Sequence, residues 1–356
     1  VNDIDAVILV GGQGTRLRPL TLSAPKPMLP TAGVPFLTHM LSRIAAAGIR
    51  HVVLGTSYRA EVFEDYFGTG AKLGLEIDYV VESEPLGTGG GIRNVLPALR
   101  HGTAMIFNGD VLSGVDLTAL HATHVRHDAA VTLYLTRVKD PRAFGCVPTD
   151  ADGRVTAFLE KDPNPITDQI NAGTYVFARS VIESIPAGRP VSVERETFPA
   201  LLQGSARVFA HVDSTYWRDL GTPADFVAGS ADLVRGIAPS QAVPGPTGES
   251  IQLPGAKVDR SAILSGGTTV GADCVVEAGA VVDGSVLFDG ARIGAAAIVR
   301  RSVIGRAASI GAGSVIEEAV VGDSATIGAR NELRAGARVW PGAIIGDVTI
   351  RFSSDG

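Results

Sequence analysis

Two cations sit on one glycine-rich segment near the start of the chain. Gly11-Gly12-Gln13-Gly14-Thr15-Arg16 follows directly on an apolar run, and Lys26 stands between Pro25 and Pro27. Backbone N–H groups of such a loop can face a phosphate chain. Two fixed positive charges suit a polyphosphate. The flanking prolines restrict the backbone around Lys26 and so help to aim its charge. No Gly-Lys-Ser/Thr closes the segment, and Pro19 blocks a helix from starting there, so neither a P-loop nor a dinucleotide fingerprint fits. A tight turn would use the same glycines; Arg16 and Lys26 are what point to phosphates.

Three further clusters could complete a reaction centre. Asn108-Gly109-Asp110 follows the apolar run Ala104–Phe107. A carboxylate at a strand end is well placed for Mg²⁺, which takes one or two carboxylates plus substrate phosphates. Asp219, in Trp217-Arg218-Asp219-Leu220-Gly221-Thr222-Pro223, is the partner carboxylate expected; each aspartate alone would equally serve a turn or a cap. Glu160-Lys161 and Asn171 offer hydroxyl acceptors and a phosphate cation for a sugar phosphate, though adjacent Glu and Lys also form ordinary exposed ion pairs. In Glu82-Ser83-Glu84-Pro85-Leu86-Gly87-Thr88-Gly89, Gly87 and Gly89 permit close backbone approach. Glu82 could accept the paired donors of guanine N1 and N2. Uracil offers one such donor, and the amino group of adenine lies beside an acceptor.

These residues need a scaffold that presents loops at strand ends. The apolar run Ala6–Val10 predicts a buried parallel strand. Helical spacing over 39–47, with Gly48 as a stop, is followed by a strand at 51–55, a helix at 60–67 and a strand at 77–81. A helix at 91–99 and a strand at 104–107 continue the alternation, and a last helix is expected at 224–234. This is the signature of an α/β, doubly wound, mostly parallel sheet. Ligands of such sheets bind beyond the carboxyl ends of the strands, where Gly11 and Asp110 both fall.

The remainder of the chain keeps a different period. After a Pro-, Gly- and Ser-rich linker at 236–254, apolar residues recur about every six positions from Val258 to Ile345, and glycine often follows directly. The expected apolar series passes through Val282, Phe288, Ile293, Ile298 and Ile304, with five-residue steps on both sides of Ile293. A hexapeptide repeat predicts a parallel β-helix of triangular coils with small residues at the corners. The domains expected are thus a catalytic domain at 1–235, the linker, a β-helix at 255–350 and a tail at 351–356. The β-helix is expected to serve oligomerisation and packing against the catalytic domain.

Composition narrows the class. The chain has 356 residues, with 31 Lys and Arg against 37 Asp and Glu, a net charge of −6. An acidic chain is a poor match for nucleic-acid backbones. No apolar run approaches the length of a membrane span. The two cysteines, Cys146 and Cys274, lie far apart and give neither a disulfide framework nor a metal spacing. These features fit a soluble cytoplasmic protein.

Taken together, the motifs resemble the sugar-1-phosphate nucleotidyltransferases. Gly11–Leu29 is similar to the phosphate loop of that family over its full length. EPLGTGG, FNGD, FLEK, INAG, VERETFP and YWRDLGTP follow in the family's order, and several of its branches end in a left-handed β-helix. EPLGTGGG, ERETFP and the W-x-D-x-GTP segment are most similar to the mannose-1-phosphate guanylyltransferase branch. The resemblance implies a Rossmann-like nucleotidyltransferase domain followed by a left-handed parallel β-helix. It implies that Arg16 stabilises leaving pyrophosphate, that Lys26 holds the reacting phosphates, and that Asp110 and Asp219 bind Mg²⁺. Leu9, Gly11, Gly12, Gly14, Thr15, Glu82, Pro85, Gly87 and Thr88 would contact the nucleotide. Asn108, Gly109, Gly145, Glu160, Lys161 and Asn171 would line the sugar-phosphate pocket. The implied partners are GTP and a hexose 1-phosphate, with mannose 1-phosphate first, in a homo-oligomer without nucleic acid or membrane. Another nucleotide and sugar pair, or a non-catalytic regulatory subunit of the same fold, are the alternatives. All seven histidines lie at or before His211, so the β-helix lacks the base that acyl transfer would need.

Overall fold

The computed structural model describes residues 3–57, 59–160 and 164–351. Strand β1 (Asp5–Leu9) is buried along almost its whole length, as a strand covered on both faces must be. Parallel strands β2 (His51–Thr56) and β4 (Thr103–Asn108) flank it, and β3 (Glu76–Val81) lies beyond β2. The order β4-β1-β2-β3 places a change of winding direction between β1 and β4, the point where doubly wound sheets bind ligands. Beyond β4 the sheet continues with antiparallel β8 (Gln169–Ala178). Strand β8 also pairs with β5 (Val131–Arg137) and with the short β6 (Gly145–Cys146). Strands β7 (Leu159–Glu160) and β9 (Val208–Val212) complete nine strands among the described residues.

The helices follow the sequence with two displacements. Residues 60–67 are helical as expected, and the first helix starts three residues early, at Phe36–Ala46. The helix expected at 91–99 instead runs Gly87–Asn94 and ends in a single tight turn at Leu96–Ala98. The glycines enter it because the N–H groups of Gly89 and Gly90 bond to Val191 O at 2.8 and 3.3 Å. Pro97 then limits the next helical segment to one turn.

The compact units do not follow chain order. One comprises residues up to Gly12 with Met40–Trp217; the other comprises Gln13–His39 with Arg218 onward. The segment 1–235, read from sequence as one domain, therefore contributes to both. The first unit carries the sheet. The second carries the rest of the phosphate loop, the helix Pro223–Val234 and the β-helix.

Among the described residues, three ladders of parallel strands stack along the β-helix, with six, six and five strands. Val258 pairs with Val276 and Val276 with Ile293, so successive coils take 18 and then 17 residues. This is the left-handed hexapeptide class of β-helix. The first rung, Ser250–Gln252, lies within the stretch expected to be linker, because Ile251 is buried there and the strand pairs with Thr268–Val270.

Two members of the expected apolar series are displaced by one residue. Leu287 and Val299 fill the β-helix interior, in place of Phe288 and Ile298. The short steps thus fall at 282→287, 299→304 and 316→321, all at one corner of the triangle. Val286 and Phe288 point out of the coil instead. With Val303 and Val320 they pack against Leu17, Leu20, Leu29, Phe226 and Val227. Among the described residues no helix is long and apolar enough to cross a membrane.

Candidate active site

In the first unit the ends of β1 and β4 are tied together. Gly109 N donates to Leu9 O at 3.0 Å. A Cβ on Gly109 would lie 2.5 Å from that same oxygen, so only glycine lets the two strand ends meet and turn. Asp110 follows at once and is half-buried. On the other side of β1, Ser57 Oγ donates to Gly11 O at 2.7 Å.

Glu82 closes β3 toward the expected base loop. Leu86 N approaches its Oε2 at 3.4 Å, and a Cβ on Gly91 would meet its Oε1 at 2.6 Å. Burial pushes the Glu82 carboxyl above its ordinary range, and the Leu86 N–H only partly offsets this. Pro85 is exposed. Thr88 Oγ1 donates to Glu194 Oε2 at 2.9 Å and accepts from Val193 N at 2.9 Å. Glu194 belongs to a π-helical turn, Val193–Thr197, a form frequent at functional sites. The ERETFP run carries part of the family resemblance, but nothing in its local pattern singles out Glu194.

The sugar-phosphate candidates of this unit gather around β8. A bulge between Asn171 and Tyr175 interrupts its pairing, and Gly173 N donates to Asn171 Oδ1 at 3.1 Å across it. Asn171 Nδ2 donates to the Tyr175 hydroxyl at 2.8 Å, which also bonds the Asn108 side chain. Burial and the negative charges of Glu194 and Asp110 push the Tyr175 phenol up, so it stays protonated. Tyr175 is not evident from sequence because its apolar neighbours mark it as core. Gly145 pairs with Glu160 across β6 and β7. Lys161 lies outside the described residues.

The second unit holds the other charged candidates. Gly14, Thr15 and Arg16 lead into a tight turn, Thr15–Leu17, in which Leu17 is buried and Arg16 exposed. Thr21 Oγ1 donates to Gly14 O at 2.9 Å and holds the loop closed. Lys26 is buried, and its Nζ lies 4.0 Å from Asp219 Oδ1. Gly221, two residues after Asp219, backs the guanidinium of Arg16: a Cβ there would lie 2.6 Å from Arg16 Nη2. Thr222 then caps the helix Pro223–Val234 by accepting from Asp225 N at 3.1 Å. One short stretch thus sets a carboxylate beside Lys26, a support behind Arg16 and the start of a helix.

Residues 5–236 match the family model described as "Nucleotidyl transferase". The chain belongs to the nucleotidyl transferase family. Members of this family typically use a divalent metal. Residues 247–331 match a second model, "GMPPB C-terminal domain". The chain is 66% identical to mannose-1-phosphate guanylyltransferase of Mycobacterium tuberculosis, over 99% of each chain. It is 37% identical to the mannose-1-phosphate guanylyltransferase catalytic subunit beta of Drosophila melanogaster, over 72% of this chain and 71% of that one. The crystal structure of HddC from Yersinia pseudotuberculosis complexed with GMP-PN is also similar. It has a TM-score of 0.57 and 29% identity, and the match covers 65% of this chain and 99% of that one.

Asp110 in the first unit and Asp219 in the second each offer carboxylate oxygens, the kind of hard donor that Mg²⁺ takes together with waters and phosphate oxygens. Among the described residues no group of three or more His, Cys, Asp or Glu could hold a metal ion.

Proposed function

We propose that this protein is a mannose-1-phosphate guanylyltransferase, forming GDP-mannose and pyrophosphate from GTP and mannose 1-phosphate. The reaction class is carried by the Lys26–Asp219 pairing on the phosphate-loop unit, which joins a phosphate cation to a metal carboxylate. The choice of guanine and mannose is supported by the near-full-length likeness to the mycobacterial enzyme. The half-buried Glu82 carboxylate supports guanine independently.

In this reaction a phosphate oxygen of mannose 1-phosphate attacks the α-phosphorus of GTP in line. The new O–Pα bond forms as the bond from Pα to the bridging oxygen breaks, and pyrophosphate leaves with that electron pair. The nucleophile is already an anion at neutral pH, so no general base is needed and catalysis is positioning plus charge neutralisation. Arg16 takes the charge that grows on pyrophosphate, and Lys26 holds the phosphates. Asp110 and Asp219 would hold Mg²⁺, which supplies charge neutralisation to the reacting phosphates. Leu9, Gly11, Gly12, Gly14, Thr15, Pro85, Gly87 and Thr88 bind the nucleotide. Asn108, Gly109, Gly145, Glu160, Lys161 and Asn171 bind the sugar phosphate. The proposal includes a homo-oligomer built through the β-helix, which light scattering tests directly. It also includes a cytoplasmic setting, supported by the two buried free thiols, Cys146 and Cys274.

The test is pyrophosphate release with Mg²⁺ across GTP, ATP, UTP and dTTP, each with mannose 1-phosphate and glucose 1-phosphate. A maximum for GTP with mannose 1-phosphate is expected, and it should vanish in Asp110→Ala. A maximum for another pair would discard the specificity and keep the reaction class. Full turnover by Asp110→Ala would remove the metal assignment. GTP binding without turnover of any pair would favour a regulatory subunit.

A further inference from the structure

The second unit contains a cleft of ≈ 470 Å³ between the helix Pro223–Val234 and the short-step corner of the β-helix. That volume is in the range of pockets that hold small organic ligands. Its walls are mainly apolar: Pro223, Val227, Ala228 and Ala231 on the helix face Ala319 and Val320 on the coils. The corner with the short steps forms one side of the cleft. Gly284, Arg301 and Glu318 stack there with positive φ, and all three line the cleft.

The charges at the rim are unevenly compensated. Glu318 is paired with Arg301 at 3.0 Å, and Asp232 with Arg218 at 3.3 Å. Arg338 also lines the cleft, but its Nη1 donates to a neutral acceptor, Arg18 O, at 2.7 Å. Among the described residues it has no carboxylate within ion-pair distance. The cleft therefore offers an apolar interior and one uncompensated guanidinium at its mouth. Those features fit an organic anion with an apolar body and a single acidic group.

The same walls reach the phosphate loop. Val227 and Val320 belong to the apolar cluster that holds Leu17 and Leu20. The helix begins directly after Asp219 and Gly221, and Arg338 is bonded to the backbone between Arg16 and Pro19. We propose that this cleft is a second ligand site, for an amphipathic organic anion, whose occupancy is coupled to the phosphate loop of residues 13–26. Binding stands on the cleft alone. The coupling rests on the nucleotidyl-transfer reading.

A matched pair of probes tests it on the full chain: the anion 8-anilinonaphthalene-1-sulfonate and its uncharged counterpart N-phenyl-1-naphthylamine. Fluorescence titration should give one saturable site for the anion. Arg338→Gln should weaken the anion by about tenfold, the value of one charge-assisted contact, and leave the neutral probe unchanged. Ala228→Phe, which fills the cleft, should abolish binding of both probes while GTP binding persists. Because that variant could also disturb folding, its melting temperature is compared with that of the parent, and Arg338→Gln at the exposed rim is an independent check. Unchanged anion binding in both variants overturns the site. Equal affinity for the two probes in the parent overturns the anion class. Saturating GTP should shift the probe Kd by about fivefold or more, as reciprocal coupling requires. No shift, with GTP demonstrably bound, overturns the coupling. Failure of GTP to bind at all counts against the proposed function and leaves the ligand site standing.

Discussion

The two units hold their candidate site residues by different physical means. In the first, Leu9, Asn108 and Asp110 are placed by hydrogen-bond register. β1 and β4 pair residue for residue from Asp5–Ala104 to Leu9–Asn108, and the turn at Gly109 is locked to Leu9 O. In the second, Arg16 and Lys26 stand on a segment with only isolated tight turns. Its order comes from burying Leu17, Leu20 and Leu29 against the outer face of the β-helix and one helix. Backbone ladders fix a position directionally. Apolar packing is non-directional and fixes it only when the shapes are complementary. The loop cations should therefore be more sensitive to distant packing changes than the strand-end carboxylate.

The largest effect expected from breaking this contrast is Phe288→Ala, at about 3–5 kcal/mol of stability. Ile316→Ala, inside the β-helix, should cost about 2–5 kcal/mol. Urea unfolding should show both losses, but only Phe288→Ala should lower kcat under conditions where each variant is fully folded. Equal kcat values would mean that the β-helix face does not order the loop. Next comes Arg16→Ala. Its side chain is exposed, so the melting temperature should hold, while kcat falls by about 10²–10³, as for loss of one preorganised donor. A variant that melts early would show Arg16 to be structural.

A third experiment addresses the opposite end of the sheet. Asp5, at the start of β1, bonds His51 Nδ1 at 2.6 Å and His101 Nδ1 at 2.9 Å, and His51 Nε2 bonds Asp78 at 2.9 Å. Burial would raise the Asp5 pKa, but these histidines and the N–H groups of His101 and Arg100 bring it down to about 2. Burial likewise opposes charge on His51, but Asp5 and Asp78 overcome it and raise its pKa. A raised histidine stabilises the fold below about pH 6.5 and loses that contribution as pH climbs through its folded pKa. A depressed aspartate loses its contribution as pH falls from about 4 toward 2. Urea midpoints should therefore fall on both sides of mildly acidic pH, and His51→Gln should flatten the alkaline side. An unchanged alkaline slope would remove His51 from the network. The smallest effect concerns Glu82. Its raised pKa means that the carboxyl protonates above the ordinary glutamate range and then cannot accept paired donors. The KM for GTP should rise as pH falls toward that value, and Glu82→Gln should raise it about tenfold and remove the pH dependence. A GTP KM unaffected by the substitution would end the role of Glu82 in base choice.

The candidate residues read from the sequence are those whose chemistry is local. Arg16 and Lys26 on one loop, and Asp110 after an apolar strand, announce themselves through neighbouring residues. Glu194 and Tyr175 were not legible in this way. Glu194 accepts a hydrogen bond from Thr88, 106 positions away. Tyr175 reaches Asn171 only because a bulge shortens the path between them. Neither contact leaves a mark in the local pattern.

The β-helix draws the line between the two kinds of information most clearly. A period near six, held from Val258 to Ile345, determined that this region coils, since each turn needs three apolar residues to fill a narrow interior. The pattern could not decide between Leu287 and Phe288, or between Ile298 and Val299, because both members of each pair are apolar. In a strand, neighbouring side chains face opposite sides, so a shift of one residue exchanges inside for outside. Tertiary structure decided it. Leu287 fits the interior, and the outer face needs Phe288 to cover Leu17 and Leu20. The compact units depend on tertiary contacts in the same way. Chain order placed the phosphate loop with the sheet, but the apolar side of residues 17–29 is buried by residues 226–320, from the distant C-terminal part of the chain.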